Sequence, residues 1–79
     1  MASKTQALPL GKTATFYLEG AGLKTTGSVV AKARRIANAA GSNQIKVEHV
    51  LEARGLDVEL ASKIRGQRVY QARKARASA

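Results

Sequence analysis

Apolar positions along this chain change their spacing at about residue 28. Residues 13–18, Thr-Ala-Thr-Phe-Tyr-Leu, alternate: Ala14, Phe16 and Leu18 share one face, and Thr13, Thr15 and Tyr17 share the other. That period of two predicts a short β-strand. Farther on the period becomes that of a helix. Val29, Ala33, Ile36, Ala37 and Ala40 recur on one face while Lys32, Arg34, Arg35 and Asn38 take the other, with Thr26 or Ser28 as N-cap and Gly41 where a C-terminal glycine belongs. A second helix is expected from about Val47 to Arg54, presenting Val47, Val50 and Leu51 inward and stopping before Gly55. Asp57 then caps a third, whose stripe Leu60, Ala61 and Ile64 fades through Val69 and Ala72 across Gly66.

The expected fold is therefore mainly α, with one short N-terminal β-strand followed by three helices in a small single domain. Residues 1–11 read as a flexible arm, 12–66 as the helical domain with its strand, and 67–79 as a basic helical extension. One strand leaves its backbone groups unpaired, and no second run of like quality exists in the chain. Pairing between two subunits resolves this, which predicts a homodimer.

Size and composition narrow the function. A chain of 79 residues buries too little to wall off a water-free active site, and it holds no Cys and one His. Thiol catalysis, disulfides and the usual zinc sites are excluded, so the expectation is a non-enzyme with no catalytic residues, no metal ligands, no cofactor and no small-molecule substrate. Gly11-Lys12-Thr13 matches only the end of a phosphate-binding loop, without its earlier glycine. His49, beside Glu48 and Glu52, reads as a packing or surface histidine. No apolar run approaches the roughly 18 residues of a membrane span, and the start lacks a secretory signal. A soluble, cytoplasmic protein without a membrane partner is expected.

Charge points to the partner. Fourteen Lys and Arg stand against five acids, a net charge of +9, and the acids are confined to Glu19, Glu48, Glu52, Asp57 and Glu59. From Leu60 onward the chain carries Lys63, Arg65, Arg68, Arg73, Lys74 and Arg76 without one acid; Lys32, Arg34 and Arg35 form a second patch. A one-sided block repels itself unless a polyanion offsets it. These nine cations are the expected DNA-binding residues, making phosphate contacts with double-stranded DNA for a transcriptional regulator or a plasmid or phage accessory factor. The alternative is an interaction protein that docks on an acidic protein surface, such as a polymerase inhibitor or a virion or ribosome component.

Three local resemblances bear on this. Residues 50–64, with Gly55 in the turn and Ala61 and Ile64 as apolar positions, resemble a helix-turn-helix; by that likeness Val58, Glu59, Ser62, Lys63 and Arg65 would approach bases. Residues 13–18 followed by two helices resemble a ribbon-helix-helix repressor, an obligate dimer in which Thr13, Thr15 and Tyr17 would face bases. Residues 33–50 are similar to the end of the central helix, the second loop and the third helix of archaeal-type histones, a pattern that any capped helix pair also produces.

Overall fold

The computed structural model describes residues 7–78, and among them the fold is four helices. They are α1 (Lys12–Gly20), α2 (Ser28–Ala39), α3 (Val47–Ala53) and α4 (Leu60–Ser78). The strand expected at residues 13–18 is absent, because that segment is the body of α1. The same residues satisfy both periods over so short a run: Ala14 and Leu18 lie four apart and are both fully buried, while Phe16 turns to a different neighbour. A helix also closes its backbone hydrogen bonds within itself, so no second strand is needed. With the strand goes the subunit-paired ribbon and the ribbon-helix-helix likeness.

Helix α1 begins at Gly11, whose carbonyl accepts from the Thr15 N–H at 3.0 Å and the Thr15 hydroxyl at 3.1 Å. It ends in a Schellman turn. Gly22 adopts φ +70°, the Leu23 N–H reaches back to the Leu18 carbonyl at 2.8 Å, and the same construction closes α2 at Gly41 and α3 at Gly55. Both glycine stops expected from the sequence are thus present, with one more at the unexpected helix.

The seven-residue α3 is the hub. It packs on α1, α2 and α4, whereas the backbone of α2 does not come close to that of α1 or α4. Val50 joins one cluster with Leu18, Val30, Ala33, Ala37 and Ile45; Val47 and Leu51 join another with Ala61 and Ile64, to which Phe16 and Tyr17 add their rings. The inward residues expected for α3 are therefore the ones buried. On α2 the buried line is Val30, Ala33 and Ala37, with Val29 and Ile36 half-buried and Ala40 exposed, so the helix is rotated slightly from the expected stripe.

Residues 1–6 of the expected arm lie outside the described residues. Its remainder is tied down: Leu8 is buried, the Ile45 N–H donates to the Pro9 carbonyl at 2.8 Å, and the Gly11 N–H donates to the Ile45 carbonyl at 2.9 Å. This short parallel bridge between Leu10 and Ile45 is the extended pairing among the described residues.

At the start of α4 the Asp57 carboxylate accepts from the Glu59 N–H at 2.9 Å, as a cap would, and α4 then runs unbroken through Gly66. Only its first turns pack. Ala61 and Ile64 are buried, but every residue from 69 to 76 is exposed, and the helix lengthens the molecule to 53 Å against widths of 23 and 22 Å. A Cβ added at Gly66 meets nothing within 4 Å. Gly66→Ala is therefore expected to stabilise the helix by about 0.5–1 kcal/mol and to raise the ellipticity signal at 222 nm; a loss of helicity would contradict this placement.

Candidate nucleic-acid interface

The nine cations singled out by sequence fall on two helices whose backbones do not come close to each other. Lys32, Arg34 and Arg35 sit on α2, the other six on α4, and α3 stands between. Lys32 and Arg35 are exposed. Arg34 is half-buried, its Nε sequestered from solvent without a hydrogen-bond partner, so its stem belongs partly to the packing of the body. One continuous basic face across both helices is thus not what the fold provides.

On α4 the cations differ among themselves. Arg65 pairs with Glu48 across to α3; both side chains are substantially exposed, so the pair contributes little to stability but does occupy the guanidinium. Arg68 is half-buried. Lys63, Arg73, Lys74 and Arg76 are exposed. Lys63 and Lys74 are eleven residues apart, three full turns, and so share one face of the helix about 16 Å apart along its axis.

Two cations outside the expected set join them. Lys12 and Lys46, with Arg65, line the recess at the start of α1, whose N-cap Gly11 offers no side chain to the first N–H groups. The Gly11-Lys12-Thr13 tripeptide was the visible signal, but its position at a helix start required α1 to be a helix. Arg54 is committed elsewhere: it donates to the Tyr17 hydroxyl, with its guanidinium 5.8 Å from the centre of that ring.

Three of the five acids gather beside the start of α4. A groove of about 640 Å³ runs between the end of α2, α3 and the start of α4; Glu48, Glu52 and Glu59 line it, over a partly apolar floor that includes Ile36 and Ala61. Of the helix-turn-helix positions expected to approach bases, Val58, Glu59, Ser62 and Arg65 line this acidic groove and Lys63 does not. His49 lines it too and is only 8 % exposed. Its Nδ1 accepts from the Lys46 N–H at 3.0 Å, which fixes the ring proton on Nε2 of the neutral imidazole. Its own N–H donates to the Lys46 carbonyl at 3.0 Å, so the side chain and backbone of one residue hold the first turn of α3. The histidine expected at the surface or in packing is a packing and capping residue.

Among the described residues no three His, Cys, Asp or Glu come together to hold a metal, and no helix is long and apolar enough to cross a membrane. Comparison of the chain with models of known families, with curated proteins and with solved structures finds no match. The functional reading therefore stands on the chain's own charge and geometry.

Proposed function

We propose that this protein binds nucleic acid without catalysis, that duplex DNA is its partner, and that α4 is the element that meets it. The observation that carries the reading is the bare half of α4: residues 69–76 are exposed throughout and include Arg73, Lys74 and Arg76 without an acid. An unpacked helix of this length is marginal in water, so the segment gains order where phosphates neutralise its charge. An α-helix with its side chains is about 10–12 Å across, which suits the roughly 12 Å major groove of B-DNA and not the deep, narrow groove of A-form RNA.

The side of α4 that approaches DNA is the one that carries Lys63 and Lys74, away from the groove at the start of this helix. Glu48, Glu52 and Glu59 surround its start and repel phosphate, which sets this arrangement apart from a helix-turn-helix. Lys63 and Lys74 on one face, with Arg73 beside them, supply contacts that hold any sequence; Lys12 and Lys46 at the start of α1, and Lys32 and Arg35 on α2, extend the reach to neighbouring phosphates. A regulator or accessory factor that coats or marks DNA is the role this supports.

Salt titration tests it. Duplex DNA is expected to bind with a dissociation constant that rises steeply with salt. Lys63→Gln/Lys74→Gln should lower the log–log slope by about 1.8 and weaken binding about 60-fold at 0.1 M salt, because each phosphate contact contributes about 0.9 to the slope. An unchanged electrophoretic mobility of duplex DNA at micromolar protein and low salt would overturn the proposal.

A further inference from the structure

We infer that the acidic groove is the docking site for α4 of a second copy, so that two chains pair through their fourth helices, antiparallel about a two-fold axis near Val69. Ser62, Arg65, Val69, Ala72 and Arg76 follow one another at intervals of three, four, three and four, the spacing of a helix-pairing stripe. The stripe starts in the groove, which Ser62 and Arg65 line, and runs out along the bare half of α4. At its middle Val69 is 44 % exposed with nothing covering it. The core-facing line of the same helix, through Ala61 and Ile64, flanks this stripe and ends where the helix leaves the body.

Antiparallel pairing along this stripe places Val69 of each copy together at the axis and the small Ala72 beside Arg65 of the other chain. Arg76 then falls beside Ser62 of the other chain, within side-chain reach of Glu59 and Glu52. The charge fits. Arg65 already neutralises Glu48, which leaves Glu52 and Glu59 exposed in the groove for the incoming arginine. The antiparallel arrangement also sets the positive end of each helix dipole beside the negative end of the other.

This dimer differs from one built on a shared strand, and Lys63 and Lys74 lie on a different side of α4 from the pairing stripe. Sedimentation equilibrium of nuclease-treated full-length protein tests it. The expected mass at tens of micromolar is twice the 8.4 kDa of the chain. Val69→Asp and, separately, Arg76→Glu are each expected to raise the dimer dissociation constant at least 10-fold, and Glu59→Arg/Arg76→Glu to restore most of it. All these positions are exposed, so circular dichroism should show an unchanged fold. A strict monomer at millimolar concentration, or a dimer indifferent to Val69→Asp, would overturn the inference and leave the groove to a basic helix of another protein.

Discussion

Leu51→Ala is expected to remove about half or more of the protein's folding stability at 25 °C. Leu51 has no exposed surface and sits in α3, the one helix whose backbone lies close to all the others. It joins Val47, Ala61 and Ile64 in the cluster that anchors α4. Truncating a buried leucine costs about 2–5 kcal/mol, more where the surroundings cannot collapse into the void. Here collapse is poor, because the neighbours belong to three separate helices. Four of the twelve buried apolar residues are alanines, so the core is thin, and a domain of this size holds only about 5 kcal/mol in total. Urea unfolding followed by circular dichroism measures the loss. A cost below about 1 kcal/mol would show that α3 is not the hub, and Tyr70→Ala, at an exposed position, should change the stability by less than about 0.5 kcal/mol.

Ending the chain after Gln67 should separate binding from folding. The cut removes Arg68, Arg73 and Lys74 together, and at about 0.9 of log–log salt slope per contact the three account for about a 500-fold loss of DNA affinity at 0.1 M salt. Stability should fall by less than about 1 kcal/mol, since the anchoring residues Leu60, Ala61 and Ile64 remain and those from 69 to 76 are exposed. Affinity within a few-fold of the full chain would place the DNA contacts on α1 and α2 instead.

Much of the candidate interface was legible as residue type and little of it as geometry. The basic block after Leu60 and the acids between Glu48 and Glu59 are visible in a linear reading. That the acids close into a groove, that Arg65 is drawn to Glu48, and that Lys12 and Lys46 approach each other are consequences of how α1, α3 and α4 pack. The separation of the α2 patch from α4 has the same origin, because α3 is inserted between them. His49 illustrates the limit at one residue: as a lone histidine it carries no signal, and its capping of α3 depends on the backbone of Lys46 three positions earlier.

The sequence by itself determined the helices that carry their own punctuation. Glycine after α2 and α3, an aspartate before α4 and apolar residues at helical spacing act within a few residues of one another, so α2, α3 and α4, the inward face of α3 and the unrelieved positive charge of the C-terminal quarter followed without knowledge of any neighbour. Only the tertiary structure decided residues 13–18. Their alternation, threonines and aromatics favour a strand locally, but Ala14 and Leu18 must pack on the α2 side while Phe16 and Tyr17 reach α3 and α4, and a helix alone sends them in both directions with its backbone satisfied. Local preference in so short a segment is worth less than burial of those side chains, and burial is a property of the neighbours.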